Sequence, residues 1–198
     1  LVGLGRIGIA VAEKAPAFGM RVAYATVPPV DYPGGEAMSL DRLLNTSDVI
    51  SLHVPLLPET RHLIDQKAFT RMKRSAYFIN TSRGAVIDED GLAWALREGI
   101  IKGAGLDVYE DEPHVHPGLL ALENVVLVPH MASATTETRA AMYDLVVRNV
   151  ISVLSGKPPL TPGLRGTRRP GAARCLPCST PAGTRGRPSP SGSSASPG

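Results

Sequence analysis

The chain has 198 residues, enough for one sizeable domain, and its net charge is +3 from 21 Lys+Arg and 18 Asp+Glu. That excess belongs to one end: residues 1–162 hold 15 basic and 18 acidic side chains, a balance of −3, while residues 163–198 hold six arginines and no acid. An acidic body argues against a nucleic-acid binder, and no apolar run reaches the roughly 20 residues that a membrane span requires.

The chain opens on Val2-Gly3-Leu4-Gly5-Arg6-Ile7-Gly8, a G-x-G-x-x-G run that turns a parallel strand sharply into a helix. Gly3 permits the tight turn, Gly5 lets backbone approach a pyrophosphate, and Gly8 lets the helix lie close on the sheet. The helix that follows aims its free N–H groups and positive dipole end at the diphosphate. Only Leu1 and Val2 precede the turn, so the first strand is expected as a stub. Ile7, Ala10, Val11 and Ala15 recur at helical spacing, and Pro16 and Gly19 close the helix.

Arg21–Ala25 reads as the second strand. The position after it, which in a dinucleotide domain meets the adenosine ribose, is Thr26, followed by Val27-Pro28-Pro29. Thr26 repels no 2′-phosphate, so cofactor choice leans to NADP over NAD, with Asp31 as the alternative ribose partner. Ser39 is the expected N-cap of a helix over Leu40–Leu44. Strands follow at Asp48–His53, Ala76–Asn80, Ile101–Val108 and Val125–Val128. Helices are expected at Asp65–Met72, at Glu89–Arg97 capped by Asp88, and from Thr135 to about Leu154. Met142, Leu145, Val146, Asn149, Val150 and Val153 lie near one face of the last. Strands alternating with helices predict an α/β, Rossmann-type, doubly wound parallel sheet covered on both faces.

Beyond Pro162 the residues are mostly Gly, Pro, Ser, Arg and Ala, and a disordered tail is expected over 163–198. A frame-shifted reading of a GC-rich gene would give the same composition. Cys175 and Cys178 stand there in C-x-x-C spacing without a second pair or a nearby histidine, so no metal site is expected. The body has no cysteine and no secretory signal, which fits a cytoplasmic location.

His53, Arg83, Asp107, Glu112 and His130 sit at the carboxyl ends of successive strands, where open parallel sheets bind their ligands. A guanidinium at Arg83, just past a buried strand, can hold a carboxylate bidentately and polarise an adjacent carbonyl. Each residue alone also fits a bland role: a surface ion pair for Arg83, a solvated loop for Glu112, a structural strand-end histidine for His130. Together they supply an acid, a base and an anion clamp on one rim of one sheet.

Five motifs in order resemble the D-isomer-specific 2-hydroxyacid dehydrogenases, particularly the glyoxylate and hydroxypyruvate reductases. They are Leu-Val-Gly-Leu-Gly-Arg-Ile-Gly at 1–8, Ser51-Leu-His-Val-Pro-Leu56, Ile79-Asn-Thr-Ser-Arg-Gly-Ala85, Gly105-Leu-Asp-Val-Tyr-Glu-Asp-Glu-Pro113 and Pro129-His-Met-Ala-Ser-Ala-Thr135. The resemblance covers residues 1 to about 160 as a NAD(P)-binding domain. It implies that Arg83 binds and polarises a small 2-oxo acid, that His130 is the general acid, and that Glu112 hydrogen-bonds His130 and favours its protonated form. It implies a cofactor site at Gly3, Gly5, Arg6, Ile7, Gly8, Thr26, Val54, Pro55, Thr60, Thr81, Ser82, Arg83, Asp107, His130 and Ser133. A homodimer is expected of the intact protein, with no nucleic-acid or membrane partner. Met131-Ala132 replaces the family's usual Ile-Gly. Most of a second, substrate domain, which precedes the glycine turn in the family, is missing, so this chain by itself is expected to be inactive. A non-catalytic NAD(H)-binding corepressor and an enzyme running a different reaction of the family, on formate or phosphite, are the alternatives within the family.

Overall fold

A computed structural model describes residues 1–162; the expected tail and its C-x-x-C pair lie outside the described residues. The described residues divide into two units, the first Leu1–Val146 and the second beginning at Val147. In the second unit, the turn after the last helix is fastened by Asn149, which exchanges hydrogen bonds with Thr161, and by Ser152 Oγ, which donates to the Pro158 carbonyl.

The first unit begins with the glycine turn and helix α1 (Arg6–Lys14), continued by a 3₁₀ turn over Ala15–Phe18. Strands β1 (Ala23–Tyr24) and β2 (Glu36–Ala37) pair in parallel. Then come α2 (Leu40–Thr46), β3 (Val49–Leu52), α3 (Gln66–Thr70), β4 (Tyr77–Asn80) and α4 (Glu89–Arg97). β5 (Gly103–Leu106), α5 (Pro117–Leu120), β6 (Val125–Leu127) and α6 (Thr136–Leu154) complete the order.

β3, β4, β5 and β6 form a parallel sheet in that order. Val2 joins it to the smaller sheet by bridging Ala25 on one side and Leu52 on the other, both in parallel. The expected stub is therefore hydrogen-bonded on both edges: Val2 N–H donates to Ser51 at 2.9 Å, His53 N–H to Val2 at 2.7 Å, and Gly3 N–H to Ala25 at 2.8 Å. The spatial order β2-β1-Val2-β3-β4-β5-β6 is that of the doubly wound fold, and helices flank the sheet.

The main core gathers Leu43 and Leu44 of α2, Phe69 of α3 and Leu92 of α4 against Ile50, Leu52, Phe78 and Leu106 of the sheet. Phe69 and Phe78 meet edge to face, with ring centroids 5.3 Å apart. Local chemistry starts the helices that feed this core: the Ser39 hydroxyl accepts the Arg42 N–H, and Asp65 accepts the Ala68 N–H at 2.8 Å. Val49, Tyr77 and Val126 alternate to the other side of the sheet and stay exposed, so its burial is one-sided there.

Several expectations need correction. In α1, Ile7 and Ala10 are exposed, and the helix buries Gly8 and Ala12 instead. A Cβ on Gly8 would stand 2.5 Å from the Gly3 carbonyl oxygen, so this close approach sets the rotation of the helix rather than its apolar count. Asp88 occupies the N-cap of α4 but makes no side-chain cap bond. The second strand is only two residues long, Ala23–Tyr24, with Ala25 after it joined to Val2 by a single parallel bridge. β2 and α5 were not expected at all. On α6 the apolar residues Met142, Leu145, Val146, Val150 and Val153 are exposed, and none of its residues is buried.

Candidate active site

Because every pairing is parallel, the loops after Val2, β3, β4, β5 and β6 open on one edge of the sheet. That edge holds the glycine turn, Val54 and Pro55, the Thr81–Arg83 turn, Asp107 and His130. The topology thus brings the expected strand-end residues to one rim.

Gly3 has φ +91°, and a Cβ there would sit 2.7 Å from the His53 carbonyl and 2.8 Å from Val54 Cγ1. Gly5 is different: a Cβ there would meet nothing within 4 Å. The first intrahelical bond of α1 is Ile9 N–H to the Gly5 carbonyl, which leaves the N–H groups of Arg6, Ile7 and Gly8 ahead of it. Open space before three free donors and a helix dipole fits a diphosphate. Thr26 closes the neighbouring corner, its Oγ1 accepting the Leu4 N–H at 3.3 Å. Thr60 Oγ1 donates to the Pro55 carbonyl at 2.6 Å and accepts the Leu57 N–H at 2.8 Å, so it staples the loop after β3. In that region Ser51 Oγ lies 3.0 Å from His53 Nε2, and burial pushes the His53 imidazole below its ordinary pKa.

The turn that presents Arg83 is built on Asn80, a fully buried amide at the end of β4. Its Nδ2 donates to the Arg83 carbonyl at 3.0 Å, and its Oδ1 accepts from both the Ser82 N–H and the Ser82 hydroxyl. Arg83 itself is exposed, with Nη1 donating to the Ser82 carbonyl at 2.6 Å.

His130 Nδ1 donates to Glu112 Oε2 at 2.8 Å, and about half of the imidazole surface is open. The other Glu112 oxygen accepts the Tyr109 N–H at 3.1 Å. The His130 bond holds the Glu112 carboxyl below its usual range, helped by the Tyr109 N–H and the positive charge of Arg83. His130 lies in the left-handed region at φ 50°. Two acceptors stabilise the chain beyond it: buried Asp107 takes the Met131 N–H at 2.6 Å on Oδ1 and the Ala132 N–H at 2.8 Å on Oδ2. Tyr109 adds a third tie, its hydroxyl donating to the Val128 carbonyl at 2.9 Å. A cleft of about 260 Å³ adjoins the pair, lined by Tyr109, Pro113, Val115, Leu127 and His130.

The sequence reading missed Asn80, Tyr109 and buried Glu89, whose Oε1 accepts the Glu110 N–H at 2.8 Å. A polar amide ending an apolar strand was the legible signal for Asn80; Glu89 was hidden in an acidic run that reads as a helix start. Among the described residues, no group of three His, Cys, Asp or Glu is set to hold a metal ion, and no helix is long and apolar enough to cross a membrane.

A parallel α/β domain with a glycine turn at its first crossover and an acid–histidine pair at its strand ends is a Rossmann-type domain. The family model for the D-isomer specific 2-hydroxyacid dehydrogenase NAD binding domain matches residues 1–132, and the chain belongs to that family. It is 50% identical over 165 residues to a glyoxylate reductase of Korarchaeum cryptofilum, covering 80% of this chain and 49% of the relative. The NADPH-dependent glyoxylate/hydroxypyruvate reductase of Sinorhizobium meliloti, solved with NADP and malonate, superposes with a TM-score of 0.78 at 40% identity, over 81% of this chain and 52% of that one. A D-isomer specific 2-hydroxyacid dehydrogenase of Lactobacillus delbrueckii, solved in its NAD form, gives 0.74 at 32% identity, over 80% and 53%. The chain spans about half the length of the curated relatives it matches.

Proposed function

We propose that this chain is the cofactor-binding and proton-donating part of an NAD(P)H-dependent reductase of small 2-oxo acids of the glyoxylate and hydroxypyruvate type. The observation that carries the reading is the Glu112–His130 bond, formed on the same rim as Arg83 and the glycine turn. Gly3 to Gly8, with Val54, Pro55, Thr60, Thr81 and Ser133, would hold the dinucleotide, which when bound supplies hydride to a carbonyl carbon. Arg83 would take the 2-oxo acid carboxylate in its fork of donors and draw electron density from the adjacent carbonyl. His130, with Nδ1 engaged by Glu112, presents Nε2 to the carbonyl oxygen. There it gives up its proton as the carbon is reduced, leaving a 2-hydroxy acid. Glu112 fixes the orientation of the ring through its bond to Nδ1.

NADP is favoured over NAD, because Thr26 at the ribose corner carries no charge and the S. meliloti relative is described with NADP. The test is turnover of glyoxylate and hydroxypyruvate with both nicotinamides, by the chain itself and by a form extended to its relatives' length. In the extended form, Arg83→Ala, Glu112→Ala and His130→Ala should each lower kcat/KM strongly. Loss of the general acid should cost about a hundred- to ten-thousandfold. Near wild-type turnover in His130→Ala would overturn the assignment of the proton donor. Binding of dinucleotide without turnover by the extended form would favour a corepressor-like role.

A further inference from the structure

Glu112 stands on a loop, and a loop does not by itself hold a carboxylate within 2.8 Å of an imidazole. The peptide between Tyr109 and Glu110 is gripped from two sides. On one side is Gly84, next to Arg83: a Cβ there would overlap the Tyr109 carbonyl carbon at 1.9 Å and the Glu110 nitrogen at 2.4 Å, so only glycine admits this contact. On the other is Glu89, whose Oε1 accepts the Glu110 N–H at 2.8 Å. Glu89 is only 5% exposed, although it lies in the first turn of α4. An acid that served only the helix dipole would remain in water, where its charge is cheaply solvated. This one is buried and aimed at a backbone donor 21 residues away.

We propose that Glu89 is a positioning residue: by anchoring the Glu110 N–H against Gly84 it sets Glu112 opposite His130 and fixes the spacing of that pair from Arg83. The chain of contacts is continuous. Glu89 holds Glu110, the Tyr109 N–H holds Glu112 Oε1, and Glu112 Oε2 holds His130. From outside, Arg61 and His62 both bond Glu110 Oε1, at 2.6 and 2.9 Å, and secure the same loop through its side chain. Around Glu89, His116 favours its charged form while Glu110 and Asp111 oppose it. The consequence for turnover rests on the reductase reading above; the anchoring itself does not.

The test uses the 198-residue chain and needs no turnover. The Glu112 carboxyl is followed by carbon NMR against pH, assigned with Glu112→Gln, in the parent, in Glu89→Gln and in Glu89→Asp. Gln keeps an acceptor oxygen at the same reach, whereas Asp keeps the charge in the first turn but withdraws it by one methylene. The expected result is a Glu112 midpoint unchanged in Glu89→Gln and raised toward the ordinary carboxylate value in Glu89→Asp. The reverse pattern, equal shifts in both, or no shift in either would overturn the proposal, since a dipole or packing role predicts one of these. Should a variant fail to fold by circular dichroism, amide exchange in the parent decides. Glu110 N–H is expected to exchange at least tenfold more slowly than Asp111 N–H, and equal rates would overturn the anchor.

Discussion

Asp107 and Met131 are 24 residues apart in sequence, yet a carboxylate oxygen of one accepts the backbone N–H of the other at 2.6 Å. The bond falls one residue past His130. With the companion bond to Ala132 it turns the end of β6 into a fixed mount for the imidazole, although Asp107 has no contact with the ring among those described. The mount is what lets a histidine remain at φ 50°.

Asp107→Ala would leave two N–H groups without their acceptors and the His130 turn unsupported. A stability loss of about 2–4 kcal/mol is expected in urea unfolding, the scale of two charge-assisted bonds at a buried site. Asp107→Asn should recover only part of it, because its NH₂ would face another donor. A loss below about 0.5 kcal/mol, typical of neutral surface changes, would remove this role.

The lowered pKa of Glu112 makes a signed prediction. Its ordinary value is 4.5, and the bond to His130 lowers it in the folded chain. A depressed acid contributes stability that is complete above the ordinary value and is lost as pH falls through the folded one. The melting-temperature difference between the parent and Glu112→Gln should therefore be level from neutral pH down to about 5 and shrink below that. A difference that grows on acidification would contradict the bond.

Glu89 has the opposite sign. Burial raises its pKa above the ordinary 4.5, so ionising it opposes folding as pH climbs from that value through the raised one. Glu89→Gln should melt no lower than the parent at pH about 7, and its relative stability should fall on going to pH about 4. Heat-denaturation scans at the two pH values check this, and a variant far less stable at neutral pH would refute it.

Two glycines of one turn should separate folding from binding. Gly8→Ala places a methyl 2.5 Å from the Gly3 carbonyl and is expected to cost about 1–3 kcal/mol by overpacking. Gly5→Ala meets open space, so stability should barely change while dinucleotide affinity falls. Calorimetric titration of each folded variant with NADPH and NADH is the measurement. Undiminished affinity in Gly5→Ala would move the diphosphate elsewhere.

Much of the fold is legible in the sequence, for physical reasons that operate locally. Apolar runs between turn residues marked β3 and β4, Ser39 and Asp65 announced their helices by capping them, and the glycine turn declared the first crossover. The strand-end residues were legible too, because parallel connectivity sends every such loop to one edge. What the sequence determined by itself, then, was the alternation of elements and the set of groups on the rim. Tertiary structure decided the rest. β2 has two exposed residues and exists only through its pairing with β1; a period of two cannot be seen in a pair. The rotation of α1 came from backbone contact at Gly8, which no hydrophobic count reports. Glu89, Asn80 and Asp107 look like a helix start, a strand end and a ligand-facing acid. Each took its place because a buried polar atom must find a partner, and those partners are brought there only by the folded chain.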